Sequence, residues 1–354
     1  MVGRASQSAP NGSAVLGGRA RRAGRGRCRR AAARGAALAA VALLAGGCSA
    51  RRPAPGPPAR DLTAGFPVSL TDAQGYLVRV EARPERIVST APTATEILFA
   101  IGAGDRVVAV TDQCDFPPEA ARLPHVGGWF TPSAERALGA NPDLVIGSRG
   151  NPREFLDHLR RSGCPVFTID PKTLEDIYAA IRDIGAITGA AEGAQRVIEE
   201  MKARLAAVEE KVGDVPEQDR PTAFLFLQLS PVWTAGSKTF QDDAIRAAGG
   251  RNVAATKEGF APFSTESLMA ADPDFLLLST MDGDPERMKR ELLANPALKR
   301  LSAAREGRIV VLEADPIMRP GPRIVEAVEA LARAFYPDRL GSPAASSSSL
   351  TSER

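Results

Sequence analysis

Two stretches of this chain, 131 residues apart, are built the same way. Ser133-Ala-Glu135 precedes Asn141-Pro142-Asp143-Leu-Val-Ile, and Ser264-Thr-Glu266 precedes Asp272-Pro273-Asp274-Phe-Leu-Leu; in each copy the glutamate lies seven residues before the proline. Each serine reads as an N-cap, its hydroxyl accepting from a backbone N–H of the turn that follows. Glu135 and Glu266 therefore fall at equivalent places in the first turn of a helix that feeds a strand. A repeat at this distance predicts a body made of two related halves.

The pattern around the repeat sets the fold class. Short apolar runs at Arg86-Ile-Val-Ser, Val107-Val-Ala-Val, Asp143-Leu-Val-Ile and Val166-Phe-Thr-Ile alternate with helical stretches, and Thr222-Ala-Phe-Leu-Phe-Leu, Asp274-Phe-Leu-Leu-Leu and Arg308-Ile-Val-Val-Leu form a second series. Uninterrupted apolar strands between helices are the mark of parallel sheets covered on both faces. The expected architecture is α/β, two Rossmann-like lobes with mainly parallel sheets joined by one long α-helix. That helix spans residues 191–212, where Ala194, Val197, Ile198, Met201, Leu205, Val208 and Val212 make one apolar stripe. At 1.5 Å per residue it is roughly 33 Å long. A single joining helix is stiff, and favours slight rocking over wide hinge closure.

Charge separates the chain into two unlike parts. Residues 1–60 hold twelve Arg and no Lys, Asp or Glu, which leaves 33 basic and 42 acidic groups in residues 61–354, a net of −9. An acidic body without basic clusters excludes a general nucleic-acid partner. The Arg-rich stretch 19–34 runs into an eleven-residue apolar core, Gly35 to Ala45, too short to span a bilayer and laid out as a signal peptide. Leu44-Ala45-Gly46-Gly47-Cys48 resembles the bacterial lipobox, with Ala45 in place of the usual Leu. The resemblance implies that Cys48 becomes a lipidated N-terminus. The expected organisation is a signal peptide over 1–47, a lipidated Pro-rich tether over 48–62, an N-terminal α/β lobe over 63–189, a linking helix over 190–213, a C-terminal α/β lobe over 214–340 and a disordered tail over 341–354. Cys114 and Cys164 would then face an exported, disulfide-permissive compartment, either paired or as small buried thiols beside strands.

Motifs for enzymatic chemistry are missing. Gly102-Ala-Gly104 follows a helical segment and lacks the third glycine of a dinucleotide fingerprint, and neither a phosphate-binding Gly-x-x-x-x-Gly-Lys-Ser/Thr loop nor a Gly-x-Ser-x-Gly elbow occurs. The two histidines, His125 and His158, have no metal-binding spacing. No catalytic residue, metal site or resident cofactor is expected, and an α/β enzyme stands as the alternative from another class.

An ordered series of motifs carries a family resemblance. Arg86-Ile-Val-Ser-Thr-Ala-Pro92-Thr-Ala-Thr-Glu96, Cys114-Asp-Phe-Pro117, Val126-Gly-Gly128, Asn141-Pro-Asp-Leu-Val-Ile and Arg319-Pro-Gly-Pro-Arg323 resemble the substrate-binding proteins of ABC importers for cobalamin, haem and ferric siderophores, over about residues 64–337. The resemblance implies two α/β lobes joined by a helix, with a permease dimer and its ATPase subunits as partners, and an exported, membrane-anchored location. It implies that Glu135 and Glu266 pair with permease arginines, where the plainer role is helix-dipole complementation.

The resemblance also implies a ligand site between the lobes. Trp129, Trp233 in Pro231-Val-Trp-Thr-Ala-Gly236 and Phe260 in Gly259-Phe-Ala-Pro-Phe263 match aromatic positions of the cobalamin-binding pocket, all expected in cleft loops, although tryptophans can equally pack lobe cores. Asp315 and Arg319 match polar positions there, while Gln113 replaces an aromatic residue. A corrinoid is the expected ligand. A ferric siderophore held by Arg319 and Arg323 is the runner-up, and haem is less favoured because Tyr76, Tyr178 and Tyr336 lie away from the cleft positions.

Overall fold

The computed structural model describes residues 65–279 and 284–341. The expected signal peptide and tether, with Cys48, and the expected tail beyond residue 341 lie outside the described residues. Four parallel strands, β1 (Ile87–Ser89), β2 (Val107–Val110), β3 (Leu144–Ser148) and β4 (Val166–Ile169), form one sheet in the order β2-β1-β3-β4. A second sheet is built from β5 (Thr222–Phe226), β8 (Arg251–Asn252), β10 (Phe275–Leu278) and β11 (Ile309–Val311), in the order β8-β5-β10-β11 and again parallel throughout. In both lobes the first strand lies between the second and third, so the two halves share one topology. In the second lobe, β6 (Gln228–Leu229), β7 (Val232–Ala235) and β9 (Phe260–Pro262) make a small antiparallel sheet in the order β6-β7-β9.

The repeat has a structural cause. Ser133 caps α2 (Ala134–Gly139) by accepting from the Arg136 N–H, and Ser264 caps α5 (Thr265–Ala271) by accepting from the Ser267 N–H. Beyond each helix one residue is left-handed, Asn141 at φ 51° and Asp272 at φ 36°. Asn and Asp accept that conformation more readily than most residues. The following Pro-Asp turns its carboxylate onto the start of the neighbouring first strand. Asp143 accepts from the Glu85 and Arg86 N–H groups at 2.8 and 3.0 Å, and Asp274 accepts from the Thr222 N–H and hydroxyl at 2.8 and 2.7 Å. The sequence echo thus encodes a turn and a strand anchor in each lobe, as well as the exposed glutamate.

Strand side chains alternate between two cores, as the pleat requires. In β1, Ile87 faces the helix-side core and Val88 the outer one; in β10, Leu277 faces the former and Leu276 and Leu278 the latter. The outer cores are separate, one per lobe. The helix-side core is continuous from Ile87 of the first lobe through α4 (Ala191–Val212) to Phe335 of the second. Along α4 the buried residues are Gly193, Ala194, Ile198, Met201, Val208 and Val212, while Val197 and Leu205 pack at its margin. Gly193 is a close-approach position: a Cβ there would collide with the Ile101 carbonyl, just past the end of α1 (Pro92–Ala100). Near the middle of α4, Arg204 donates through Nε and Nη2 to the two carboxylate oxygens of Glu329 at 2.8 and 3.0 Å, tying the helix to α7 (Ile324–Phe335). Cys114 and Cys164 are both free and buried. Burial, with the Asp143 charge, pushes the Cys164 thiol up to about 11, so it stays protonated near neutral pH.

Candidate functional site

Ligands of open α/β sheets sit at the carboxyl ends of the strands, where the strand order reverses. In the first lobe that point lies between β1 and β3, and it is occupied by a buried hydrogen-bonded knot. Asn151 Nδ2 donates to the Thr90 carbonyl at 2.9 Å and to the Trp129 carbonyl at 3.1 Å, while its Oδ1 accepts from the Ser148 N–H at 2.9 Å and from the Thr90 hydroxyl at 3.0 Å. All four polar functions are engaged, which holds the segment carrying Trp129 over the sheet edge. The half-buried indole donates from Nε1 to Ser148 Oγ at 3.1 Å. A Cβ at Gly150 would come within 2.9 Å of its Cζ2, so a glycine there lets the ring lie against the backbone. The backbone N–H of Trp129 donates to Gln113 Oε1 at 2.7 Å. Gln113, which follows β2, thus positions the tryptophan.

Trp233 and Phe260 correct the expectation of cleft loops. They lie on β7 and β9 of the antiparallel sheet, where Trp233 pairs with Pro262 and Ala235 with Phe260. Paired and alternate residues share a face, so Trp233, Phe260 and Pro262 point the same way. Trp233 is 37% and Phe260 53% exposed, whereas Thr234 between them in the ladder is fully buried. These aromatics do not fill a lobe core. They present an apolar face on a rigid ladder.

The polar candidates form an ion cluster that joins the lobes. Glu96 of α1 is 4% exposed and takes Arg319 Nη1 at 3.1 Å and Arg323 Nε and Nη2 at 3.0 and 2.6 Å. Arg319 also meets Asp115 at 2.7 Å and Asp315 of α6 (Ala314–Met318) at 3.0 Å, and Arg323 meets Asp315 at 3.1 Å. Arg323 further stacks its guanidinium 3.8 Å from the Phe116 ring centroid. Burial pushes the Asp115 carboxyl up, but the hydrogen bond and charge of Arg319 outweigh it and the net shift is downward. The two arginines are therefore not an open anion cradle, the arrangement the siderophore alternative required. Sequence reasoning singled out the arginines but missed Glu96, Asp115 and Asn151. Only the Thr95-Glu96 step in the first motif and the Arg-x-x-x-Arg spacing hinted at the pairing.

The profile of the periplasmic binding protein family matches residues 87–316. The chain belongs to the periplasmic binding protein family. An uncharacterised ABC transporter substrate-binding lipoprotein of Bacillus subtilis is 29% identical over 308 residues, covering 86% of this chain and 96% of that one. A cobalamin-binding protein of Halobacterium salinarum is 30% identical over 294 residues, covering 80% and 79%. Among solved structures, the apo periplasmic haem-binding protein of Roseiflexus sp. is 34% identical, with a TM-score of 0.63 over 71% of this chain and 98% of that one.

In this periplasmic binding protein, Glu135 and Glu266 occupy matching second positions of α2 and α5, both exposed, and among the described residues neither is in an ion pair. A concavity of about 660 Å³ opens beside Glu135, lined by Gly127, Thr131, Ser133, Arg136 and Gly139. The tyrosines are engaged elsewhere: Tyr76 under Arg160, Tyr178 buried on α3 (Leu174–Ile187), and Tyr336 donating to the Gly249 carbonyl at 2.8 Å. No group of three metal-ligating side chains occurs among the described residues, and no helix there is long and apolar enough to cross a membrane.

Proposed function

We propose that the protein is the substrate-binding component of an ABC importer and that its ligand is a corrinoid, captured between the lobes without chemical change. The observation that carries the ligand is the exposed aromatic face that Trp233 and Phe260 present on the second lobe. Aromatic surfaces suit a broad ring system, each contact adding about 0.5 to 1.5 kcal/mol beyond burial. The cobalamin-binding relative supports the same reading. Neutralisation of Arg319 and Arg323 by three carboxylates argues against an anionic ferric siderophore.

Transport would follow from docking, with Glu135 and Glu266 as one handle per lobe for a permease dimer. The lipid on Cys48 would tether the exported protein to a membrane. The test is co-elution: the purified protein is mixed with cyanocobalamin, a ferric hydroxamate or haemin and passed through gel filtration with visible-wavelength detection. Stoichiometric retention of cobalamin with an unchanged ligand spectrum on release supports the reading. Retention of the siderophore or haemin alone defeats it.

A further inference from the structure

Glu96 is a buried carboxylate to which capture of a corrinoid, as proposed above, assigns no task. It belongs to the first lobe, its side chain is 2% exposed, and the two arginines it binds belong to the second. The cluster counts three carboxylates, Glu96, Asp115 and Asp315, against two guanidiniums, a net of −1. Glu326 and Glu313 add negative charge close by, offset in part by Arg204. The cluster also reaches the aromatic wall, since the Arg319 Nη2 approaches the carbonyl of Gln113, the residue whose side chain holds the Trp129 backbone.

We infer that Glu96 is a specificity-determining residue that masks Arg319 and Arg323 and so makes the cleft select against negatively charged ring ligands. A ligand carboxylate seeking either arginine must displace Glu96, Asp115 or Asp315, and Glu96 displaced from one arginine keeps only half of the pairing that offsets its burial. It must also approach a site that already carries excess negative charge, and like charges at close quarters disfavour binding. A neutral or cationic ring meets neither obstacle. Discrimination then lies in a repulsive element, separate from the aromatic faces that attract the ring.

The inference rests on the corrinoid reading for the ligand's identity, but its test separates the two. Affinities are measured by isothermal titration for two pairs of ligands that keep the ring and differ in carboxylate charge: cobalamin against its singly hydrolysed monocarboxylic acid, and haemin dimethyl ester against haemin. The wild-type protein is expected to prefer the neutral member of whichever pair binds by at least tenfold. Glu96→Gln is expected to cut that preference at least tenfold while changing the neutral ligand's affinity less than threefold. Asp115→Asn, at a largely exposed carboxylate, keeps the test sound if Glu96→Gln does not fold, and is expected to cut the preference at least threefold. A preference unchanged in the folded variants overturns the inference, whichever ring binds. Binding of porphyrins alone overturns the corrinoid reading and leaves the ratio to decide the inference; binding of neither ring overturns both.

Discussion

Arg323 holds Glu96 with two parallel hydrogen bonds across 227 positions of sequence, one side chain from each lobe. Both side chains are largely buried, so the pair is costly to break from one side only. Arg323→Ala leaves Glu96 with Arg319 alone and is expected to lower unfolding stability by about 3 kcal/mol. Glu96→Gln removes the buried charge itself, and both arginines keep aspartate partners, so it is expected to cost less. Urea denaturation of the two variants checks the order; an equal or larger loss in Glu96→Gln would contradict it.

Asn151→Ala unties the knot at the first lobe's switch point. Thr90 and Trp129 lose a donor for their carbonyls and Ser148 loses the acceptor for its N–H, which is expected to cost about 1 to 3 kcal/mol. Because Trp129 is then no longer held over the sheet edge, its emission should shift to longer wavelength and corrinoid affinity should fall at least tenfold. Titration and fluorescence of a Trp233→Phe background, in which Trp129 is the remaining indole, read both effects.

Glu135→Ala combined with Glu266→Ala is expected to abolish uptake in a reconstituted transporter while ligand affinity stays within twofold. Both carboxylates stand in solvent, and exposed ion pairs contribute roughly 0 to 1 kcal/mol each, so they act through register and encounter. The single variants should show weaker uptake that declines further with added salt. Loss of ligand binding in the double variant would remove both residues from the docking role.

The tie between α4 and α7 predicts a pH response. The hydrogen bonds of Arg204 hold the Glu329 carboxyl below its ordinary value of 4.5, against a smaller upward push from burial. A carboxyl depressed in the folded state stabilises fully above its unfolded value, and that contribution is lost as pH falls through the folded one. Thermal stability should therefore decline between about pH 5 and pH 3, and Arg204→Met should flatten that part of the profile. Differential scanning fluorimetry across this range tests it.

What could be read from the chain depended on how local the signal is. The seven main strands were visible because each is an uninterrupted apolar run, and α4 because its stripe repeats at helical spacing over 22 residues. The half-molecule repeat showed because capping serine, left-handed turn and Pro-Asp anchor are contiguous. The β6-β7-β9 sheet leaves almost no trace in the sequence, and Trp233 and Phe260 read there as loop residues, because two- to four-residue strands flanked by Pro and Gly carry too little pattern. Glu96 escaped because its partners are 223 and 227 residues away. Asn151 looks like any polar turn residue until the strand ends it joins are brought together.

The continuous helix-side core separates two ideas that the repeat invites one to equate. Each half is a recognisable copy, with its own sheet and its own outer core. Yet Ile97 and Ile198, Leu277 and Phe335 belong to one apolar mass that neither half completes. A chain severed at the linking helix would yield two fragments, each with one wall of an interior and no opposite wall. The repeat is thus a unit of architecture, and the unit of folding is the pair.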